Sequence, residues 1–279
     1  MKVGLHVSIA GTIDLAVDRA KESNCDTFQV FTRNPRGWRY SALDPQEVGN
    51  FKEKLKTSGI GPPISHMPYL PNLACPEDEL YEKSVATLAE EVDRCVQLGI
   101  PYIVTHLGSH LGRGREVGLQ RLTNALDVAT KRARGDLQIL LENMAGQANS
   151  MGSKFQDLKE IMSGVKRAER IGVCFDTCHA YAAGYDLQSK RGVDQTLSKF
   201  NDIIGFDSLK VVHLNDSKGG IGSGLDRHEH IGMGYIGERG FKAFLHHDTT
   251  RGLPWILETP EDERRDAQGN LRMVRKLGK

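Results

Sequence analysis

The sequence has no extended apolar stretch, no large net charge and no set of cysteines typical of a disulfide framework. No apolar stretch approaches the roughly 18 residues of a membrane span, and residues 1–11 lack the apolar core of a signal peptide. The formal net charge at pH 7 is +1, so any surface for a nucleic acid has to be a local patch. The five cysteines are odd in number, which predicts reduced thiols in a cytoplasmic, intracellular protein.

Short β-rich runs are plentiful and alternate with longer amphipathic segments along all 279 residues. Continuous runs of Val, Ile and Leu are typical of strands that are buried on both faces of a parallel sheet. Eight such runs cover residues 2–8, 27–33, 63–67, 102–109, 138–144, 171–177, 211–216 and 255–260.

Helical patterns fill the intervals between these runs. Residues 77–98, 116–133 and 187–204 place apolar side chains at helical spacing, with charged residues between them. Eight β–α units without a composition break predict an α/β fold, a single (β/α)₈ TIM barrel in which residues 1–279 form one domain. The last unit has only the highly charged residues 261–279 for its helix, so we expect that helix to be short or frayed.

Polar side chains cluster where the predicted strands end, which is where such barrels form their active sites. The imidazoles and carboxylates at these ends, and in the glycine-rich loop before the last strand, are His66, His106, Glu142, Asp176, His179, His213, Asp226, His228 and Glu258. Each one alone has an ordinary explanation, as a core histidine or a capping carboxylate. Together they indicate divalent cations, because buried carboxylates are costly unless they are paired or bound to metal.

The donor types narrow the choice of cation. Imidazole with carboxylate suits Zn²⁺, with Mn²⁺ or Fe²⁺ as alternatives for part of the set. Nine ligands are too many for one tetrahedral ion, so two or three ions are implied, at the carboxyl ends of the strands. Such a cluster favours phosphoryl chemistry, since it lowers the pKa of a bound water and stabilises the charge of the transition state.

The segment VCFDTCHAYAAGYD, residues 173–186, offers two competing ligand sets. Cys174 and Cys178 resemble a thiol site, but haem attachment requires a different spacing, and no other thiolate stands at the strand ends. Cys174 lies two residues before Asp176, so strand alternation makes it a packing residue below the site. Asp176 and His179 are therefore the predicted ligands. They lie three residues apart where the strand is expected to turn into a loop, and they could serve one ion or two neighbouring ions.

Several long segments, in the same order, carry a family resemblance. They are GLHVSIAG (4–11), FTRNPRGW (31–38), SHMPYLPNLA (65–74), THLGSH (105–110), LLENMAGQ (140–147), VCFDTCHAYAAGYD (173–186), HLNDSK (213–218), DRHEHIGMGYIG (226–237) and ILETP (256–260). By these segments the chain resembles the endonuclease IV family of zinc-dependent apurinic/apyrimidinic (AP) endonucleases. The resemblance implies a DNA-repair hydrolase that cuts the phosphodiester 5′ to an abasic site in duplex DNA, leaving a 3′-hydroxyl and a 5′-deoxyribose phosphate, and that cleans blocked 3′ ends.

The family site holds three zinc ions, and each of its nine ligands has a counterpart here. The resemblance implies three groups: His66, His106 and Glu142; Asp176, His213 and Glu258, with Glu142 bridging to the first; and His179, Asp226 and His228. It also makes Glu142 and Glu258 the implied catalytic carboxylates.

DNA-binding positions carry over from the family as well. Arg36, Tyr69 and Leu70 match side chains that push into the duplex and flip the abasic nucleotide out. Apolar wedges unstack and kink DNA, and an abasic site has the least stacking to lose. Gly37 departs from the family pattern, in which well-known members carry a larger polar residue.

Loop cations are candidates for phosphate contacts. They are Arg113, Arg115, Lys218 and Arg227.

Two other functions remain open: a divalent-metal sugar isomerase or epimerase on a related barrel, which needs fewer ions, and a non-catalytic binder of damaged DNA. The second is disfavoured because structural zinc sites are usually closed cages with thiolates. The near-zero net charge gives no sign of an obligate protein partner, so we expect a monomer.

Overall fold

A closed barrel of parallel strands forms the centre of the computed structural model, which describes residues 1–279. The strands are β1 (Lys2–His6), β2 (Thr27–Val30), β3 (Pro63–His66), β4 (Tyr102–Thr105), β5 (Gln138–Glu142), β6 (Ile171–Asp176), β7 (Leu209–His213), β8 (Asp216–Ser217), β9 (His228–Glu229) and β10 (Pro254–Leu257). β1 to β7 follow one another around the barrel, and β10 closes it between β7 and β1. The predicted (β/α)₈ barrel and its eight strands are confirmed.

Helices surround the barrel. They are α1 (Leu15–Glu22), α2 (Pro45–Ser58), α3 (Asp78–Leu98), α4 (Arg115–Thr130), α5 (Phe155–Gly164), α6 (Thr177–Ala182), α7 (Lys190–Ile203), α8 (Gly237–Leu245) and α9 (Ala267–Leu277). α2 begins at Pro45 behind the N-cap Asp44, whose carboxylate accepts two backbone N–H bonds, and Gly59 ends it in the left-handed conformation. None of the helices combines the length and hydrophobicity needed to cross a membrane.

The closing helix α9 is short, as expected, but it is not frayed. It runs for 11 residues and buries Asn270, Leu271, Val274 and Leu277. Apolar residues at helical spacing give α9 one packed face in spite of its high charge, and this face covers β1 and β10. The charge count alone missed this pattern.

Two apolar layers lie on either side of the barrel wall. The outer layer, between strands and helices, is a cluster of 60 buried residues. The inner layer inside the barrel is much smaller and consists of Ile64, Val104, Leu140, Cys174, Val211 and Ile256. The upper part of the barrel is therefore left for side chains of another kind.

Candidate metal centre

Each apolar residue of the inner layer is followed, two positions later, by a polar residue at the carboxyl end of the same strand. The pairs are Ile64–His66, Val104–His106, Leu140–Glu142, Cys174–Asp176, Val211–His213 and Ile256–Glu258. Residues two apart share one face of a strand, so all six polar side chains point towards the barrel axis. This alternation places six of the nine predicted ligands in one layer.

The structure brings all nine predicted residues together in three groups. Within each group the donor atoms lie within 4.8 Å of one another. The groups are His66, His106 and Glu142; Glu142, Asp176, His213 and Glu258; and His179, Asp226 and His228. Asp176 and His179 fall in different groups, and Glu142 belongs to two.

Local structure beyond the barrel supplies the third group. His179 lies in the first turn of α6, where Asp176 is the N-cap and accepts a hydrogen bond from the His179 backbone nitrogen at 2.7 Å. The loop predicted to follow the strand at Asp176 is in fact a short helix, because Asp176 caps its first turn. β8 and β9 pair antiparallel and close the glycine-rich excursion between them, which returns Asp226 and His228 to the mouth of the barrel.

Glu142 is the centre of the charge distribution. Its Oε1 lies 3.1 Å from His213 Nδ1 and 3.3 Å from His179 Nδ1. Its Oε2 lies 3.2 Å from both His66 Nε2 and His106 Nε2. Burial would raise the pKa of this fully buried carboxyl, but His213 and His106 hold the pKa well below its usual range. Glu142 is therefore an ionised carboxylate with both oxygens directed at imidazoles.

Three of the histidines are oriented by backbone carbonyls. The Nδ1–H groups donate from His66 to Met67 (2.6 Å), from His179 to Asn143 (3.0 Å) and from His228 to Glu258 (3.0 Å). A proton fixed on Nδ1 leaves the lone pair on Nε2, which in each ring faces the carboxylates. Metal-binding histidines are commonly held in this way.

His228 gives the clearest structural indication that the site is built to hold a cation. Its Nε2 is buried and has no hydrogen-bond partner. It lies 3.6 Å from Asp176 Oδ2 and 3.7 Å from Asp226 Oδ1, too far for hydrogen bonds. A buried lone pair facing two carboxylates is costly without a cation between them, so the residues fit a metal ion.

Two asparagines that are absent from the predicted ligand set hold the carboxylates. Asn143 exchanges two hydrogen bonds with the backbone of Asp176, at 2.8 and 3.0 Å. Asn215 donates to Asp176 Oδ2 at 2.7 Å and accepts from the Glu258 backbone nitrogen at 2.8 Å. Both follow a strand directly or nearly so, as the predicted ligands do. They were overlooked because only imidazoles and carboxylates were counted.

All five cysteines are buried and unpaired. Cys174 belongs to the inner apolar layer, as predicted. Cys178 comes within 4.8 Å of donor atoms of Asp176 and His228, but its thiol donates weakly to the Arg227 carbonyl at 3.6 Å. Burial raises the pKa of Cys174 and Cys178 to about 12, which disfavours the thiolate that a metal ligand requires.

Thiol reactivity tests this assignment. We expect no cysteine of the folded protein to react quickly with Ellman's reagent at pH 8, because all five side chains are buried. In addition, a thiol of pKa about 12, as in Cys174 and Cys178, is thiolate in only ~1 molecule in 10⁴. All five should react after unfolding in guanidinium, which serves as the internal control. A fast, stoichiometric reaction of the folded protein would contradict the assignment.

Two of the predicted DNA-binding residues, Tyr69 and Arg227, lie at the mouth of the barrel, and the others are exposed on nearby loops. Tyr69 and Leu70 are 62% and 41% exposed, large values for such side chains. Tyr69 and Arg227 line a cavity of about 350 Å³ together with His66, His106, His179, Asp226, His228, Glu258 and Pro260. Arg36 is exposed on the loop after β2, outside this cavity. Arg115 is already paired with Asp157 and Glu160, at 2.7 and 2.5 Å, which makes it a poor phosphate contact.

A buried ion pair holds the loop that carries Arg36. Arg33 Nε lies 2.8 Å from Glu91 Oε1, and both side chains are almost fully buried. The other Glu91 oxygen accepts from Thr32 at 2.6 Å, while Arg33 donates to the carbonyl of Trp38 at 3.1 Å. The pair therefore ties α3 to both ends of this loop.

Glu91→Gln is expected to lower the free energy of unfolding by about 3–5 kcal/mol, because it leaves Arg33 buried without a counter-charge. Urea unfolding followed by circular dichroism measures the change. Glu82→Gln, at an exposed position of the same helix, is the matched control and should change stability by less than about 0.5 kcal/mol. Equal stability of the two variants would show that the pair contributes nothing.

Comparisons with known proteins agree with this architecture. The profile of the xylose isomerase-like TIM barrels matches residues 17–277. A protein named probable endonuclease 4 from Methanoculleus marisnigri is 56% identical over 276 residues, covering 99% of this chain and 98% of that protein. The crystal structure of endonuclease IV from Thermus thermophilus superposes with a TM-score of 0.88 at 38% identity, covering 99% and 98% of the two chains.

A more distant structure shares only the fold. A D-tagatose 3-epimerase-like protein superposes with a TM-score of 0.72 at 19% identity, covering 99% of this chain and 96% of that one. At this identity the likeness carries no argument about activity. The high identity and full coverage of the endonuclease 4 relative decide the assignment: the chain belongs to the endonuclease 4 family, a family of nucleases built on the xylose isomerase-like TIM barrel.

Proposed function

We propose that this nuclease hydrolyses the phosphodiester 5′ to abasic sites in duplex DNA, leaving a 3′-hydroxyl and a 5′-deoxyribose phosphate, and that it also removes blocking groups from 3′ ends. The observation that carries the proposal is the set of nine imidazole and carboxylate donors in three groups, six of which line the cavity at the mouth of the barrel. This donor set suits the stabilisation of a transferring phosphoryl group. The family relationship supports DNA as the substrate.

The proposed cofactor is a cluster of three Zn²⁺ ions, with Mn²⁺ or Fe²⁺ as alternatives at part of the sites. The ligand groups would be those described above, with Glu142 shared between two of them. The unpartnered His228 Nε2 and the imidazoles oriented by backbone carbonyls support the fit. Bound cations would lower the pKa of water and stabilise negative charge on phosphoryl oxygens.

The protein side chains position the carboxylates and place a positive charge beside the cavity. Glu142 directs one oxygen to each of two groups and so sets the spacing between them. Asn215 links Asp176 to the backbone of Glu258, which fixes two carboxylates relative to each other. Arg227, anchored by a 2.7 Å bond to the Asp226 carbonyl, places a positive charge at the wall of the cavity, where a DNA phosphate would pass.

DNA distortion is assigned to Arg36, Tyr69 and Leu70. Tyr69 packs edge-on against Phe31, with ring centroids 5.3 Å apart, and this contact supports the exposed phenol from one side. A rigid aromatic side chain beside an exposed leucine suits insertion into a base step that has lost its base. Gly37 contributes no side chain to this loop, although there is open space around it for one.

Leu70→Ala is expected to weaken binding to a duplex with one abasic site roughly 10-fold, because a wedge that replaces base stacking is worth about 1–3 kcal/mol. Binding to an undamaged duplex should change little. Fluorescence anisotropy at fixed salt measures both affinities. Val128→Ala, at a 40% exposed position of α4, is the control, and equal effects of the two substitutions would remove Leu70 from the DNA interface.

The decisive experiment uses a labelled duplex with a single tetrahydrofuran abasic site. This analogue cannot undergo β-elimination, so strand scission has to be hydrolytic. We expect zinc-loaded protein to incise the strand 5′ to the site and to leave a 3′-hydroxyl end that a DNA polymerase can extend. Protein treated with a chelator should not incise the duplex. Absence of cleavage by fully metallated protein would refute the proposal.

Metal stoichiometry separates the nuclease from a sugar isomerase. A third group formed by His179, Asp226 and His228 serves a phosphoryl substrate but has no purpose in a one- or two-metal isomerase. Plasma mass spectrometry should find three metal ions per chain.

We further propose a single-domain monomer, which light scattering coupled to gel filtration would test.

A further inference from the structure

The layer at the carboxyl ends of the barrel strands contains two polar side chains besides the six inward-facing predicted metal ligands. β3 to β7 and β10 contribute those six, while β1 and β2 contribute His6 and Gln29 at the same level. Phe28 and Val30, on either side of Gln29, belong to the outer apolar cluster, so alternation turns Gln29 inward. Gln29 is fully buried.

The amide of Gln29 connects three site residues. Its Nε2 donates to Glu258 Oε1 at 2.7 Å and to His6 Nδ1 at 3.0 Å. Its Oε1 lies 2.8 Å from His213 Nε2. An ionised Glu258 can only accept, so the amide nitrogen has to face Glu258 and the amide oxygen has to face His213. The proton of His213 is thereby fixed on Nε2.

This orientation determines which nitrogen of His213 is available to a cation. When His213 binds a cation it does so as a neutral imidazole, and a proton held on Nε2 then leaves the lone pair on Nδ1, which is 3.1 Å from Glu142 Oε1 and 3.2 Å from Glu258 Oε2. The other oriented histidines keep their proton on Nδ1 and use a backbone carbonyl. His213 has the opposite arrangement and depends on a side chain for it.

We infer that Gln29 is a positioning residue of the metal centre, whose one amide sets both the tautomer of His213 and the orientation of Glu258 through two hydrogen bonds. The inference rests on the proposed metal cluster and extends it to a residue that binds no ion itself. A buried glutamine that only filled space could be replaced by methionine of similar length without effect on the site. A glutamine that sets a tautomer could not, because methionine has no donor and no strong acceptor.

The test compares Gln29→Met with Gln138→Met. Gln138 also lies on a barrel strand, but its amide donates to the Glu169 carbonyl, away from the mouth. Zinc titration of stripped protein against a chelating indicator should show one binding step weakened about 10–100-fold in Gln29→Met, the usual cost of losing such a contact. The other steps should be retained, and Gln138→Met should match the wild type. The kcat for abasic DNA should fall while KM stays within about 2-fold.

The wild-type protein provides a second measurement that does not depend on a variant. In zinc-loaded protein labelled with ¹⁵N-histidine, we expect His213 to carry its proton on Nε2. A proton on Nδ1 of His213 would overturn the inference. Equal zinc affinities of Gln29→Met and the wild type would also overturn it, as would uniform weakening of every zinc-binding step in the variant. If the wild type bound no zinc, the proposed cluster would fail and this inference with it, whereas unchanged affinity in Gln29→Met alone would leave the cluster intact.

Discussion

Glu142→Gln is expected to reduce kcat for abasic-site cleavage by at least ~10³-fold, a larger effect than we expect of Glu258→Gln. The carboxylate is fully buried, and its two oxygens approach four imidazoles within 3.3 Å. The amide removes the negative charge and replaces one acceptor by a donor, so it weakens two ligand groups at once. A loss of several kcal/mol of charge stabilisation corresponds to a factor of this size.

Quantitative incision of tetrahydrofuran-containing duplex under single-turnover conditions measures the effect. Metal content should fall in the same variant, to fewer than the three ions proposed for the wild type. Glu116→Gln, at an exposed position in the first turn of α4, is the matched control and should retain full activity. A Glu142→Gln protein with normal metal content and normal rate would show that this carboxylate is not a shared ligand.

Glu258→Gln is expected to preserve the fold and lower kcat by roughly 10²-fold or more. The carboxylate contacts fewer imidazoles than Glu142 does, with His213 at 3.2 Å and His6 at 3.8 Å. Burial would raise the pKa of Glu258, but His213 and His6 hold the pKa well below its usual range, so the charged form is the native one. The amide would remove that charge and would set a donor against the donating Nε2 of Gln29.

The backbone of residue 258 is held independently of its side chain, which is why the fold should survive. Asn215 accepts from its nitrogen and His228 donates to its carbonyl. Thermal unfolding should therefore differ little from the wild type while the rate falls. Glu263→Gln, on the exposed stretch after β10, is the control. Near-native activity of Glu258→Gln would remove this residue from the catalytic site.

The strands were predictable because parallel barrel strands are buried on both faces and appear as continuous apolar runs. Their carboxyl ends were predicted two to four residues too late in several cases, as in β4, which ends at Thr105 rather than at residue 109. The chain leaves the ladder there to carry His106 into the site. Hydrophobicity continues through Leu107, so the pattern does not mark the end of hydrogen bonding.

The role of Gln29 could not be predicted from the sequence. A single glutamine in a β-rich run has no local signal that separates it from an ordinary strand residue. Its partner His213 lies 184 positions further along the chain, and only closure of the barrel brings the two side chains to 2.8 Å. The α6 helix was missed for a related reason, since its N-cap Asp176 was considered as a ligand and not as a capping residue.

The barrel and the chemical types of the donors follow from local patterns along the chain, so both could be predicted from the sequence. Eight buried runs specify the strands, and a polar residue two positions after an inward-facing apolar one specifies the layer above the core. The three-dimensional fold is needed to establish which donors share a group, which imidazole nitrogen faces the carboxylates and which neutral amides hold those carboxylates. These features depend on distances across the barrel, and strand order, register and closure fix those distances while local periodicity does not.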